Sequence, residues 1–393
     1  MDNTTIISQY NSSPLGRLGG AIYIHIPFCK QACHYCDFHF STNLKKKNEM
    51  VLALAKEIEL RKNEFQNETV ETIYFGGGTP SLLTINELIF LIDVVYSNYK
   101  VVENPEITLE ANPDDLSNTQ IGELANTAIN RLSIGIQSFF EDDLQLMNRA
   151  HNADEAKECL EIATKYFDNI TIDLIYGIPN MNNEKWLQNI ETALSFGVPH
   201  ISAYALTVEP KTALQTLISK GKIAAPNDSV AQEHFHLLVK TLTEKGFIHY
   251  ELSNFGKPGY FSVNNTAYWT GKKYLGIGPS AHSFNGMQRS WNIANNSLYI
   301  KSILEKKLPS EVEILTKTDS YNETVMTGLR TMWGISLEKI ETEFGKNYLN
   351  YLLKEAEKYI ENKQLVLENN HLKTTQNGMF YSDGISSDLF FSQ

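Results

Sequence analysis

Three cysteines crowd into eight positions of a chain that has four cysteines in 393 residues. Cys29, Cys33 and Cys36 have the spacing C-x-x-x-C-x-x-C and follow an apolar run. Four cysteines are too few for a disulfide framework in a chain of this length. Thiolates at this spacing can converge on one centre, and iron–sulfur clusters and zinc are the centres that thiolates suit. The segment therefore predicts a metal centre.

Two kinds of centre are compatible with this loop. Three cysteines on a four-iron cluster leave one iron open, and an open iron can bind a small molecule. Structural zinc normally has four protein ligands, and the fourth would come from His25, His34 or His39. The remaining cysteine, Cys159, falls in a helical pattern and is interpreted as a core residue. The loop follows the first of six strand–helix units and precedes a glycine-rich second loop, which favours the cluster.

The elements that must position the cysteines alternate between two patterns. Apolar residues three and four apart predict helices, as at 49–65, 86–96 and 154–166. Strand–helix alternation predicts a parallel sheet with helices outside, either open and doubly wound or closed as a complete or partial (β/α) barrel. Unusual polar residues gather where the strands end, which is the active-site rim of a barrel. The predicted strands are 21–26, 72–75, 106–110, 131–136, 170–175 and 200–206.

The pattern changes after residue 206. A turn-rich aromatic segment at 253–291 precedes a region that looks like a separate helical module. The elements predicted after residue 206 are helices at 230–245, 321–331, 337–344 and 348–362, a strand at 249–252 and a hairpin at 365–373. The predicted domains are an N-terminal segment at 1–20, a barrel with the aromatic segment at 21–300, and a helical domain at 301–393.

Composition limits the functions open to this chain. Apolar residues make up 42% and charged residues 20%, which excludes disordered and collagen-like chains. The net charge is −12, from 34 Lys and Arg against 46 Asp and Glu, so we expect no nucleic-acid partner. No apolar stretch reaches the length of a membrane helix, and residues 1–10 lack the features of a signal peptide. We therefore expect a soluble, cytoplasmic protein.

The cysteine loop, with an aromatic Tyr35 just before its last cysteine, resembles the signature of the radical S-adenosylmethionine superfamily. More specific motifs resemble the HemN/HemW family, and they run in order along the chain. These motifs are YIHIPFC at 23–29, GGGTP at 76–80, EANP at 110–113, GIQSF at 135–139, NRAH at 148–151 and IDLIYGIP at 172–179. The resemblance implies a partial (β/α)6 TIM-like barrel with a mainly helical C-terminal domain.

The same resemblance implies two cofactors. A [4Fe-4S] cluster would be held by Cys29, Cys33 and Cys36, and its open iron would chelate S-adenosylmethionine, whose cleavage in that superfamily releases a 5′-deoxyadenosyl radical. The residues implied to contact S-adenosylmethionine, at one of two positions known in the HemN branch, are Tyr23, Tyr35, Gly77, Gly78, Thr79, Glu110, Gln137, Arg149, Asp173 and Ala205.

Residue chemistry supports several of these contacts. Glycines let a backbone approach a ligand closely, so the loop at 76–78 could offer amide and carbonyl groups to the methionyl ammonium. Glu110 could accept hydrogen bonds from ribose hydroxyls or an ammonium, or be a surface carboxylate near a helix N-terminus. Gln137 and Asp173 lie in apolar runs and need partners, either a ligand or other core groups. Arg149 could pair with a carboxylate.

Two features distinguish the branches of this family. Phe38 stands where the dehydrogenase branch carries a fourth cysteine, and 28 residues precede Cys29 where that branch has a longer extension. Both predict the HemW branch, which resembles a heme chaperone: heme would be the cargo and apo-heme proteins the recipients, with possible peripheral contact to membrane partners. The alternative is an oxygen-independent coproporphyrinogen III dehydrogenase, a radical decarboxylase of porphyrin biosynthesis.

A heme-associated motif, H-N-x-x-Y-W, departs from its pattern here. Asn264 replaces the histidine, whereas Tyr268 and Trp269 are present. An amide is a poor axial ligand for heme iron compared with imidazole. His282, in a nearby glycine-rich turn, is a substitute candidate, and a turn-stabilising histidine is the alternative interpretation.

Overall fold

A computed structural model describes residues 19–65 and 68–392. The N-terminal segment predicted at 1–20 lies outside these residues except for its last two positions. Six parallel strands form the centre of the fold: β1 (Gly19–Ile26), β2 (Thr69–Gly77), β3 (Val101–Ala111), β4 (Arg131–Gln137), β5 (Ile170–Tyr176) and β6 (His200–Ala205). All six predicted strands are confirmed.

The order of these strands decides how the sheet is wound. β1 to β6 lie side by side in sequence order and every neighbouring pair is parallel. A doubly wound sheet would reverse its strand order at a switch point, so the predicted partial (β/α)6 barrel is confirmed. The helices between and after these strands are Lys47–Leu60, Ile85–Asn98, Asn118–Leu124, Glu141–Leu146, Ala153–Tyr166, Asn183–Ser195, Ala213–Ser219 and Asp228–Glu244. The helix predicted at 49–65 ends earlier, at Leu60.

The sheet extends beyond both ends of the barrel, and here the sequence prediction was incomplete. β9 (Tyr274–Ile277) pairs in parallel with β1, although the sequence predicted a turn-rich segment there. Antiparallel strands follow it outward: β10 (His282–Phe284), β11 (Gln288–Asn292) and β12 (Ser310–Ile314). On the far side, β6 is followed by β8 (Asn254–Gly256) and β7 (Ile248–Glu251). Two further helices pack near β1: Val263–Trp269 contacts β1 and β2, and Asn296–Leu304 contacts the helix Lys47–Leu60.

The C-terminal residues build a second hydrophobic core around Tyr321, Leu329 and Leu352. Backbone hydrogen bonds from Leu252 to Arg330 and from Met332 to Tyr250 join this module to the barrel. Its elements are the helices Lys317–Leu329, Leu337–Lys339, Lys346–Glu361, Gln376–Met379 and Ser382–Asp388, a π-helical turn at Ile340–Phe344, and the strands β13 (Ile335–Ser336), β14 (Leu365–Glu368) and β15 (His371–Thr374). β12 pairs with the main sheet, while the division predicted at residue 300 stays a prediction.

The main core lies between the sheet and the helices that surround it. Ile22, Phe75 and Leu109 are fully buried in neighbouring strands. The packing of these strands provides a rigid base for the loops that leave the strand ends.

Within residues 19–65 and 68–392, no helix is both long enough and apolar enough to span a bilayer.

Candidate functional site

A cavity of about 430 Å³ opens at the carboxyl ends of the barrel strands. The three clustered cysteines and nine of the ten predicted S-adenosylmethionine contacts line it together. They are Cys29, Cys33, Cys36, Tyr35, Gly77, Gly78, Thr79, Glu110, Gln137, Arg149, Asp173 and Ala205. Tyr23 lies outside this lining: it pairs with Tyr74 across β1 and β2, and the two rings stack 5.9 Å apart.

Backbone hydrogen bonds fold the cysteine loop over the cavity. The amide of Cys29 donates to the Ser41 carbonyl at 3.1 Å, and the amide of Cys36 donates to the Cys33 carbonyl at 3.4 Å. The amide of His34 donates to Met147 at 3.0 Å, which ties the loop to the segment after β4. All three cysteines are free thiols. They can therefore be presented together to an iron–sulfur cluster.

Burial controls the pKa of two of these thiols, Cys29 and Cys36. Burial raises the pKa of Cys29 to about 11, although a hydrogen bond with Thr79 lowers it in part. Burial likewise raises the pKa of Cys36 to about 11. A thiol must lose its proton to bind metal, so binding a cluster would release protons from this loop. The donor set, three thiols at one cavity mouth, fits a [4Fe-4S] cluster with one open iron.

The three histidines considered as zinc ligands are engaged elsewhere. His25 Nε2 lies 2.9 Å from the His39 carbonyl, and His25 is 5% exposed, as expected for a packed strand residue. His34 Nδ1 lies 2.8 Å from the Leu146 carbonyl. His39 Nε2 lies 2.7 Å from Asn296 Oδ1. Among the described residues, no group of three or more His, Cys, Asp or Glu side chains surrounds a point where a single metal ion could sit.

Arg149 connects the cysteine loop to the strand ends. Its Nη1 donates to Cys33 Sγ at 3.2 Å and to Tyr35 Oη at 3.4 Å. Its Nη2 donates to Asn112 Oδ1 at 2.6 Å and to the Gly135 carbonyl at 2.9 Å. These partners replace the carboxylate that the sequence suggested. The buried Nε of Arg149 has no hydrogen-bond partner among the described residues, so it remains a donor for a ligand.

The glycine-rich loop packs too tightly against the end of β1 and the start of the cysteine loop for a larger residue to replace Gly78. A Cβ on Gly78 would lie 2.6 Å from the Phe28 carbonyl oxygen and 2.8 Å from that of Ile26. Gly77 has a φ of 104°, a conformation that favours glycine. The amides of Gly78 and Thr79 already donate to the carbonyls of Ile26 and Phe28. The loop therefore has its carbonyl oxygens, rather than these amides, to offer to a methionyl ammonium.

Two carboxyl groups lie deeper in the cavity. Glu110 accepts hydrogen bonds from Tyr74 Oη at 2.8 Å and from the Gly77 amide at 3.2 Å. Burial raises the pKa of Glu110, and these two hydrogen bonds oppose the rise. Burial and then the neighbouring Glu110 charge raise the pKa of Asp173 to about 7. Paired carboxyls favour a cationic ligand here, and S-adenosylmethionine carries both an ammonium and a sulfonium.

The backbone at the end of β4 is strained where it meets the cavity. Gln137 has a φ of 68°, which is unusual for a residue other than glycine. Such strain is often found at ligand sites, where the surrounding structure maintains it. Gln137 is also buried, with 9% of its surface exposed. Gln137 therefore contributes to the cavity wall from a backbone conformation that the surrounding structure must maintain.

Sequence reasoning missed some residues of this cavity. Asn112, two positions after Glu110, lines the wall and hydrogen-bonds both Arg149 and Thr79. Its presence in the EANP motif was the available signal. Ser133 and Tyr204 also line the cavity, but each looks like an ordinary strand residue in the sequence.

A second cavity, of about 570 Å³, lies between the β9–β11 edge of the sheet and the C-terminal module. Tyr268, Trp269 and His282 all line it. Asn264 does not: it is 2% exposed, and its Oδ1 accepts a hydrogen bond from Thr72 Oγ1 at 2.9 Å. The residue in the position of the expected heme ligand is thus engaged inside the barrel, while its aromatic neighbours reach the cavity.

Known proteins resemble this chain in both halves. The sequence profile of the radical SAM superfamily matches residues 23–198, and that of the HemN C-terminal domain matches residues 315–381. The heme chaperone HemW of Bacillus subtilis is 34% identical over 329 residues, covering 83% of this chain and 87% of that protein. The heme chaperone HemW of Lactococcus lactis is 32% identical over 91% of this chain and 93% of that protein.

One solved structure shares the whole architecture. Coproporphyrinogen III oxidase (HemN) from Escherichia coli, a radical SAM enzyme, superimposes with a TM-score of 0.82 over 99% of this chain and 93% of that chain. The two sequences are 21% identical, so the likeness is one of fold.

Proposed function

The chain belongs to the HemW family within the radical SAM superfamily, and from this membership we propose that it acts as a heme chaperone. It binds heme as cargo and transfers it to apo-heme proteins in the cytoplasm. The observation that carries the proposal is the match to relatives named heme chaperone over most of both chains. A reducing cytoplasm also suits three free thiols at one cavity mouth.

The superfamily implies a [4Fe-4S] cluster and S-adenosylmethionine, and we assign both to the cavity at the strand ends. Cys29, Cys33 and Cys36 would hold the cluster, whose open iron would chelate the methionyl group of S-adenosylmethionine. Arg149 orients the Cys33 thiol through its 3.2 Å contact with Sγ. Glu110 and Asp173, which line the same cavity, would favour the cationic part of the ligand.

Phe38 supports the chaperone over the dehydrogenase. Its side chain is 67% exposed and lines the cavity mouth, in the position where the dehydrogenase branch carries a fourth cysteine. An exposed aromatic ring cannot ligate iron. The position therefore offers no additional thiolate beside the cluster.

Metal analysis after anaerobic reconstitution tests the cluster. We expect about four irons per chain, because a cubane cluster with an open site needs three thiolates and no more. Cys33→Ala should lose most of this iron. Cys159→Ala is the matched control: this cysteine is 3% exposed in the core, away from the cavity, so the variant should retain its iron. Tightly bound zinc without iron would contradict the assignment.

A heme-transfer assay tests the chaperone function. The wild-type chain should give a Soret change with ferric heme and should pass that heme to an apo-heme protein such as apomyoglobin. Incubation with coproporphyrinogen III, S-adenosylmethionine and a reductant is the counter-test. Formation of protoporphyrinogen, or no heme binding at all, would overturn the proposal.

A further inference from the structure

We propose that the second cavity is the porphyrin site, and that His282 and His371 are the axial ligands of the heme iron. The inference rests on the proposed function, because it assigns a place to the heme that a chaperone must carry. The cavity volume of about 570 Å³ is within the usual range of roughly 300–1,000 Å³ for cofactor sites.

The first wall of this cavity is one face of the neighbouring strands β9, β10 and β11. Phe284 pairs with Tyr274 on one side and with Arg289 on the other, so these three side chains lie on the same face. His282 is two residues from Phe284 and shares that face, because alternate residues of a strand point the same way. All four line the cavity. An aromatic surface with an imidazole at its side suits a flat porphyrin ring.

The second wall comes from the C-terminal module. Trp333, Ile335 and Phe344 contribute apolar surface, and His371 on β15 lines the same space. His371 pairs with Ser336 across the small sheet, which fixes its backbone position. One histidine therefore comes from each wall of the cavity, and we assign the heme iron to the space between them.

The hydrogen bond of His371 leaves one of its ring nitrogens for iron. His371 Nδ1 lies 2.9 Å from the Asn369 carbonyl, so this nitrogen carries the proton and Nε2 is left with a lone pair. Histidines that bind metals commonly donate their other ring N–H to a carbonyl in this way.

The cavity also holds a cation for the porphyrin carboxylates. Lys339 lines it, as does Glu343 one helical turn later in the chain. Arg289 is already paired with Glu323. We therefore assign Lys339, rather than Arg289, to a porphyrin propionate, while the aromatic walls cover the ring.

The test is a ferric heme titration of the full-length protein and its variants. Wild type should show the Soret band of imidazole-ligated heme, and His282→Ala/His371→Ala should lose that band and bind heme at least tenfold more weakly. His236→Ala is the control, because this half-buried histidine lies on the helix Asp228–Glu244, outside the cavity. Asn264→His should leave the titration unchanged, because position 264 is buried away from the cavity.

Tryptophan fluorescence gives a second readout that does not depend on iron ligation. Bound heme should quench Trp269 and Trp333, which line the cavity, so Trp269→Phe/Trp333→Phe should remove most of the quenching. A double-histidine variant that titrates like wild type, or a stronger Soret band in Asn264→His, would overturn the site while the chaperone function stands. A wild-type chain that binds no heme would overturn both. Iron content of the cluster should stay the same in all these variants.

Discussion

The two cavities of this molecule are built in different ways. The cavity at the strand ends is formed by consecutive strand–loop units of one sheet, and its polar groups already hydrogen-bond one another. The second cavity lies between two hydrophobic cores, with one wall from the edge of the main sheet and the other from the C-terminal module. The first is a rigid site for a small ligand, whereas the second depends on how two modules pack. Substitutions should therefore affect the two cavities separately.

The largest expected effect is at the glycine loop of the first cavity. Gly78→Ala places a Cβ 2.6 Å from the Phe28 carbonyl oxygen. This oxygen cannot move without displacing the backbone next to Cys29. We expect S-adenosylmethionine affinity to fall at least tenfold in equilibrium dialysis of the reconstituted protein. Heme affinity, which we assign to the second cavity, should be unchanged.

The control for this substitution is Gly122→Ala. A Cβ on Gly122 would find its nearest neighbour, the Tyr166 ring, at 3.8 Å, which is ordinary contact. Equal loss of S-adenosylmethionine binding in both variants, or none in Gly78→Ala, would refute the close-packing explanation.

A smaller effect concerns pH and the carboxyl groups of the first cavity. The folded-state pKa of Asp173, about 7, is above its ordinary value of 3.8 because of burial and Glu110, while Arg131, Ser133 and Ser202 oppose the rise. Its contribution to stability is therefore full below about pH 4 and is lost as pH rises toward 7. Asp173→Asn should remove this loss, so the variant should gain about 2 kcal/mol over wild type between pH 4 and pH 8 after allowing for solvent in the cavity.

Urea unfolding of the apo-protein at several pH values measures this difference. Asp168→Asn, at an exposed position near the start of β5, corrects for the general loss of one negative charge. A pH profile of Asp173→Asn parallel to that of wild type would show that the carboxyl is not buried in the folded state.

The smallest effect is expected between the modules. The Arg330 guanidinium lies 5.4 Å from the Trp269 ring centroid, and its Nε donates to Asp383 Oδ1 at 2.6 Å. Arg330→Met should lower the free energy of unfolding by about 1 kcal/mol, since cation–π contacts and exposed ion pairs are each weak. Iron content should not change. Lys354→Met, which removes an exposed cation 3.8 Å from Glu355, is the control and should have no measurable effect.

The sequence predicted the barrel well because most residues of its central strands are buried. β4 and β5 are mainly apolar runs with a few polar residues, bounded by turn residues, and such runs are visible without any tertiary information. The strands beyond the barrel were missed for a physical reason. β9 has four residues, including Gly276, and its parallel partner β1 is distant in the chain, while β10 has only three residues, too few to show a strand pattern.

The two cavities were not equally predictable either. Motif residues such as Gly78 and Arg149 lie on loops that parallel strands must bring to one edge, so the sequence could place them together. His371 carried no such signal, because its place in the same cavity as His282 depends on how the C-terminal core docks. Asn264 shows the limit of motif reasoning: the motif pointed to a ligand position, whereas the side chain bonds Thr72 inside the barrel.

The outermost strand of the sheet has a consequence for the behaviour of the protein at high concentration. One side of β12 pairs with β11, and its other side is the end of the twelve-stranded sheet. Val312 and Ile314 are 60% and 72% exposed there, a combination that invites edge-to-edge aggregation. Glu311 and Glu313 alternate with them, and in a chain of net charge −12 they would repel an incoming copy. Low pH or high salt should therefore favour precipitation through this edge.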